Sequence, residues 1–472
     1  MYSEDGMDTD ILFRLMIRQN PWWADGDVQT AGLPVRNLPK RNLFDKISPH
    51  LDDKFILSIT GPRRVGKTTL LYHLIHTLLD KGVDKNHILY LSFDELLTRE
   101  GDIIEIILEL YRSRIIHRSW GKHNVFVFFD EIQYIPYWQS ILKRFYDLRY
   151  KIKFIVSGSS STEIQKGKES LAGRLFDFHL LYLDFTEFLK IKSIDLTTLS
   201  GKADIHKIEE SYHQTLLYET ELKDNFYQYL AGGGFPELLE IPSLENKQEY
   251  ILNAVVDKVI FKDLPQALAV KDIRLLMELL TFSAAYSCQL FEIIQLSKHF
   301  KVSRETISNY LEYLRKGFLI ETSSTYSTSM IKGARTNKKI YVRDTGLRHA
   351  LMRYTEKDIN NPEVAGMSVE TLFYNLFKTH YNDVWFWRDA AGHEADLVVR
   401  IGQAMLPIEI KYRTSISSKS ISGLLYFMDK FKLRDGLVIT PNTFRTEKYD
   451  RKVIHFIPAW FAAVIMDRID IE

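Results

Sequence analysis

Cysteine is nearly absent: Cys288 stands alone in 472 residues, which excludes an internal disulfide and a zinc site built from several thiolates, and suits a reducing compartment. No stretch approaches the roughly 18 uninterrupted apolar residues of a spanning helix. The first twenty residues also lack a basic start followed by an apolar core. The expectation is a cytoplasmic chain with neither signal peptide nor membrane span. Charge of one sign is missing too, since the formal net charge is +1, so any affinity for nucleic acid has to be sought in local segments. Internal repeats and long low-complexity tracts are likewise lacking. What is present is a hydrophobic fraction of 45%, with 13% aromatic and 26% charged residues, a balance that excludes wholesale disorder. The length exceeds what one core usually serves, so several domains are expected.

Residues 1–50 read as a leader with Pro21, Trp22, Trp23 and a turn-prone AspGlyAsp at 25–27, the tryptophans being expected to pack against the domain that follows. From Phe55 onward apolar runs alternate with helical stretches. The runs are 55–59, 88–93, 125–129 and 153–157, and the helices start at Lys67, near Ile103 and near Tyr137. Short all-apolar strands alternating with helices predict a parallel sheet covered on both faces, here over 51–192. Residues 193–265 read as a helical lid or linker, interrupted by GlyGlyGlyPhePro at 232–236. Residues 266–340 are helix-rich and end in a Ser, Thr, Gly and Lys rich stretch at 323–339. A further α/β unit is expected over 341–472, with strands at 394–400 and 405–411.

GlyProArgArgValGlyLysThr at 61–68 fits G-x-x-x-x-G-K-[ST] between an apolar strand and a helix, the context that makes this phosphate-loop pattern specific. Gly61, Pro62, Arg63, Arg64, Val65, Gly66, Lys67, Thr68 and Thr69 are therefore the candidate nucleotide-binding residues. The glycines let backbone N–H groups turn toward phosphates at a helix N-terminus. Lys67 is expected on the β and γ phosphates of ATP, and the Thr68 hydroxyl on Mg²⁺. Apolar residues precede Asp130 and Glu131, so this pair emerges at the C-terminal end of a buried strand, where open α/β sheets bind ligands. Asp130 is the second candidate metal residue. Glu131 is the candidate catalytic base, polarising the attacking water.

The next apolar strand ends in SerGlySerSerSer at 157–161, followed by SerLeuAlaGlyArg at 170–174, a strand-like LeuLeuTyrLeu at 180–183 and GlyGlyPheProGlu at 233–237. With GlyProArgArg at 61–64, these words resemble the AAA ATPases of the archaeal and bacterial type. The resemblance implies an α/β fold with a P-loop ATPase core and helical lid, ATP and Mg²⁺ as ligands, and association of chain copies as an option. It also implies a polar sensor at Ser157 or Ser159 and an arginine finger at Arg174.

LysHisPheLysValSerArgGluThr at 298–306 lies among apolar residues at helical spacing, so 266–340 resembles a winged helix-turn-helix. Between Lys298 and Arg353 twelve Lys or Arg face four acids, which suits a DNA backbone as partner, although such a fold also serves protein contacts. The segment from Tyr341 resembles the restriction-endonuclease-like domain that follows this ATPase in related chains. The words that carry this likeness are TyrValArgAspThrGlyLeu at 341–347, GluAlaAspLeuValVal at 394–399 and ProIleGluIleLysTyrArg at 407–413. Asp396, Glu409 and Lys411 occupy its PD-(D/E)xK pattern, without the Pro before Asp396. Glu370 is expected to complete a metal shell. The resemblance implies a Mg²⁺-dependent nuclease site. The alternative is a nucleotide switch whose nuclease-like domain only makes contacts.

Overall fold

The computed structural model describes residues 9–24, 35, 38–96, 102–121, 123–159, 171–194, 196, 203–328, 338–413 and 416–471. The AspGlyAsp turn at 25–27, Ser170, Lys332, Arg335 and most of the Ser, Thr, Gly and Lys rich stretch at 323–339 lie outside the described residues. The chain divides into two compact units, 1–181 and 182–472.

In the first unit five strands form one parallel sheet: β1 (Ile56–Thr60), β2 (Ile88–Ser92), β3 (Val125–Asp130), β4 (Ile152–Gly158) and β5 (Leu175–His179), in the order β2-β3-β4-β1-β5. The apolar runs become strands because each is buried on both faces; every residue of β1, β2 and β3 is buried. The helices Lys67–Asp80, Ile103–Tyr111 and Trp138–Asp147 flank the sheet strands in sequence. The core joins Ile104, Ile107 and Trp138 of these helices to Leu91, Phe129 and Phe154 of the sheet. The segment read as a leader is part of this unit. Its helix Thr9–Gln19 buries Leu12 and Met16 in the same core. The Trp22 and Trp23 indoles both donate to the Ile88 carbonyl, at 3.1 and 2.9 Å. The strand expected at 180–183 is not one: β5 precedes it, and Leu180 N–H closes on the Thr60 carbonyl at 2.8 Å.

The second unit begins before the boundary expected at 192, because the helix Phe185–Ile191 buries Phe185, Phe188 and Leu189 with Phe226 and Tyr229. That apolar cluster also takes in Tyr341, Val369, Leu397 and Trp460, so the segments read as lid and nuclease-like domain share a core. A two-residue strand β6 (Ala203–Asp204) is followed by the helices Ile208–Thr215 and Glu219–Gly232. Strand β7 (Leu290–Phe291), helices Ile293–Phe300 and Arg304–Lys316, and strands β8 (Ile320–Ser324) and β9 (Lys338–Val342) follow, the sheet running β7-β9-β8. Ser303 caps the second helix of the pair by accepting from Thr306 N–H at 3.0 Å. After the long helix Pro362–His380 come β10 (Val384–Arg388), β11 (Glu394–Ile401), β12 (Ala404–Ile410), β13 (Asp435–Thr440), β14 (Arg445–Tyr449) and β15 (Lys452–Pro458). They form a mixed sheet in the order β10-β11-β12-β13-β15-β14. A last strand, β16 (Ile469–Asp470), pairs with β6. No helix among the described residues is long and apolar enough to cross a membrane.

Candidate functional site

The loop between β1 and the helix Lys67–Asp80 is shaped by its glycines. A Cβ on Gly61 would lie 1.9 Å from the Leu180 carbonyl oxygen, and Gly66 has φ 93°; only glycine meets both conditions without strain. Arg64 adopts φ 65°, a cost the loop carries at a residue with a side chain. Arg41, from the segment preceding β1, donates to the carbonyls of Val65 at 2.6 Å and Leu181 at 2.9 Å and so braces the loop. Lys67 is buried, its ammonium held by the carbonyls of Gly61 at 3.2 Å and Pro62 at 2.8 Å. A cation pooled there beside backbone N–H groups at a helix N-terminus is what a polyphosphate requires.

Strand β4 lies between β1 and β3, so the C-terminal ends of three neighbouring strands meet beside the loop. Asp130, at the end of β3, is the hub. Its Oδ2 accepts from the Thr68 hydroxyl at 2.6 Å and the Tyr90 hydroxyl at 3.0 Å. Its Oδ1 accepts from the Ser157 hydroxyl and, at 3.1 Å, from Glu131 N–H. With 2% of its surface exposed, burial pushes the carboxyl pKa up, the charge of Glu131 adds to this, and Ser157, Thr68 and Lys67 pull it back. Glu131 has φ 53°, which turns the chain sharply as it leaves the strand. Its carboxylate accepts from the Gln133 amide, and that amide also donates to the Ser159 hydroxyl at 3.1 Å. Both candidate sensors therefore belong to the site: Ser157 touches Asp130 directly, and Ser159 reaches Glu131 through Gln133.

Thr68 and Asp130 bring two hard oxygen donors together, the set that suits Mg²⁺, which keeps waters and phosphate oxygens as its remaining ligands. Tyr90 and Gln133 are functional neighbours that motif reading missed. One is an aromatic within an apolar strand and the other a polar residue in a turn, and neither carries a spacing signal.

Arg174 is placed elsewhere. Its carbonyl accepts from Ile56 N–H at 2.9 Å, and its guanidinium pairs with Asp147 at 2.8 Å. Ile56 opens β1 whereas the phosphate loop follows its other end, roughly 16 Å away at 3.3 Å per residue. The parallel sheet thus sets Arg174 at the end of the strands opposite the chain's own phosphate loop.

In the second unit β11 pairs antiparallel with β12, Leu397 opposite Ile408, which sets Asp396 across from Glu409. Asp396 accepts from Ile410 N–H at 2.8 Å. Lys411 donates to Glu409 Oε1, while Glu409 Oε2 is buried without a hydrogen-bond partner. Burial, then the charge of Asp396, pushes the Glu409 carboxyl up to about 8. Glu370 is held by the Lys339 ammonium and the Tyr341 hydroxyl, each at 3.0 Å, and burial takes it up to about 7. Lys339 also pairs with Glu394 at 2.7 Å. Among the described residues no three His, Cys, Asp or Glu side chains are arranged to hold a metal ion. Of the expected shell, Glu370 is thus already paired with the Lys339 ammonium.

The basic stretch also changes its meaning. Arg315 pairs with Glu312 and Glu321 at 2.6 and 2.7 Å, Arg353 pairs with Glu249, and Lys339 and Arg348 are buried. Lys298, Lys301 and Arg304 are exposed.

A parallel sheet whose adjoining strand ends carry a phosphate loop, an Asp-Glu pair and hydroxyls defines a P-loop nucleotide-binding domain. Residues 53–189 match the family described as an AAA domain, and this stretch is an AAA-type P-loop ATPase domain. Residues 223–358 and 365–461 match two domains of unknown function, DUF8612 and DUF4143. An uncharacterized protein of Haemophilus influenzae is 24% identical over 436 residues, covering 90% of this chain and 98% of its own. Another, of Methanocaldococcus jannaschii, is 29% identical over 422 residues, 85% and 86% of the two chains. The structure of C. elegans PCH-2 overlaps 34% of this chain and 48% of its own at 14% identity, with a TM-score of 0.26.

Proposed function

We propose that this chain hydrolyses ATP at the end of β1, β3 and β4. The observation that carries the reading is the 2.6 Å contact between Thr68, in the first turn of the helix after the loop, and the buried Asp130 on β3, with Glu131 next to it. Residues 61–69 bind the phosphates, Lys67 exchanging its loop carbonyls for phosphate oxygens. Thr68 and Asp130 would hold Mg²⁺, which when bound neutralises charge on the transferred phosphoryl group. Glu131 accepts a proton from the attacking water as its oxygen bonds to the γ-phosphorus and ADP leaves. Ser157 keeps Asp130 oriented.

Two variants test this. Lys67→Ala removes the phosphate cation and abolishes ATP binding. Glu131→Gln keeps binding but lowers turnover on the order of a hundredfold or more, the usual contribution of a general base. Hydrolysis at the parent rate by Glu131→Gln would remove the base assignment.

A second reading concerns the C-terminal unit: ATP turnover is coupled to DNA, bound through the winged helix-turn-helix over 266–340 and cut at Asp396, Glu409 and Lys411. The unpartnered Glu409 Oε2, beside Asp396 and with Lys411 on the other oxygen, favours it. Two carboxylates on neighbouring strands would hold Mg²⁺ or Mn²⁺, and Lys411 would position the water. The competing form is a nucleotide switch that uses this domain for contacts alone.

A further inference from the structure

We propose that Gln133 is a positioning residue of the hydrolytic site, an assignment that rests on Glu131 being the base. Gln133 sits in the short turn Ile132–Tyr134 that follows the left-handed Glu131. Its Nε2 donates to the Glu131 carboxylate and to Ser159 Oγ, the latter at 3.1 Å. A primary amide has two N–H donors, so both are committed. One hydrogen bond ties down the base, and the other anchors that tie to the end of β4. The remaining amide atom, Oε1, is buried and has no hydrogen-bond partner. An unpaired buried acceptor weakens a fold, so packing does not account for a glutamine here; what its donors do to Glu131 does. Gln133 thus holds the base in one orientation between the ends of β3 and β4.

The full chain is assayed for ATP turnover and for binding of a fluorescent ATP analogue. Gln133→Ala is expected to lower kcat on the order of 10- to 100-fold while KM and analogue affinity stay within about twofold. Gln133→Glu sets a second carboxylate against Glu131 and is inactive at alkaline pH. It regains turnover as the pH falls and the introduced acid, once protonated, can donate to Glu131, a gain the parent does not show. The proposal is overturned if Gln133→Ala turns over like the parent. It is equally overturned if analogue affinity falls in step with kcat, as mere support of the loop would give, or if Gln133→Glu shows no acid recovery. Glu131→Gln in the same assay keeps the two readings apart: a dead Glu131→Gln beside a fully active Gln133→Ala removes only the role of Gln133, whereas an active Glu131→Gln removes the base and this proposal with it.

Discussion

Glu131 adopts a left-handed backbone and Asp130 gathers four donors, so the neighbouring acids are set differently: one is locked by hydrogen bonds and the other is swung out of the strand. The pair and the loop were legible in the sequence because strand, spacing and chemistry all coincide in a few consecutive residues. Tyr90 and Gln133 were not, since their roles depend on partners that only the assembled sheet supplies. The place of Arg174 was hidden for the same reason, as the end of the sheet it occupies is fixed by register. Arg174→Ala is expected to leave the chain's own ATP turnover within about twofold, checked in dilute solution. A loss that appears only as protein concentration rises would instead mark it as acting on a neighbouring copy. The buried N-cap of one helix, Asp344, and a buried residue within it, His349, make a pH prediction. Burial raises Asp344 from 3.8 to about 6, so its contribution is fully present below pH 3.8 and is lost as the pH climbs through 6. His349 is depressed by burial from 6.5 to about 4, so its contribution is present above pH 6.5 and is lost as the pH falls through 4. The slopes oppose each other and are each worth roughly 3 kcal/mol at most. Relative to the parent, His349→Gln should therefore lose stability as pH rises from 4 to 6, and Asp344→Asn as pH falls, in urea unfolding at each pH. Parallel profiles for parent and variants would sink the assignment.

At the scale of elements, two of the words that carried the family resemblance turn out to be partners in packing. Gly234 N–H donates to Asp344 Oδ2 at 2.7 Å, and a Cβ on Gly346 would lie 2.1 Å from the Gly232 carbonyl oxygen. The glycine run at 232–234 thus lies directly against the start of the helix Thr345–Met352, a relation no spacing rule expresses across more than a hundred residues. Gly346→Ala is expected to cost roughly 1–3 kcal/mol or more through overpacking, read as a lower urea midpoint, with ATP turnover per folded molecule unchanged. The strands at 394–401 and 404–410 were readable from alternation, whereas the basic stretch was over-read. Charge counting adds Lys339, Arg315, Arg348 and Arg353 to a surface, yet Lys339 and Arg348 are buried, and glutamates pair with Arg315 and Arg353. If the helix pair meets DNA backbone, reversal at the exposed Lys301 and Arg304 should weaken binding equally on all sequences and flatten its salt dependence. Fluorescence anisotropy across a salt series measures this, and salt-insensitive binding would point to protein contacts.

For the whole molecule, two compact units with separate apolar cores carry two separate clusters of polar chemistry. If both act, they are separable by mutation. Asp396→Asn keeps an oxygen for the Ile410 N–H but lowers the charge, so it should remove Mg²⁺- or Mn²⁺-dependent cleavage of DNA while ATP turnover persists; Lys411→Ala should do the same. A binding measurement stands beside activity. Glu409 has a buried oxygen without a hydrogen-bond partner, and burial and the charge of Asp396 raise its carboxyl, so a divalent cation would displace its proton and bind the two carboxylates together. A cation at a hundred times its dissociation constant stabilises by about 2.7 kcal/mol. Mn²⁺ should therefore raise the unfolding midpoint of the parent chain but not of Glu409→Gln, with Lys67→Ala as common background so that the phosphate loop holds no nucleotide. If Mn²⁺ stabilises neither protein, and single-stranded, duplex and branched DNA all remain intact, then Lys339 and Lys411 suffice as counter-charges. The C-terminal unit is in that case a contact domain driven by the ATPase.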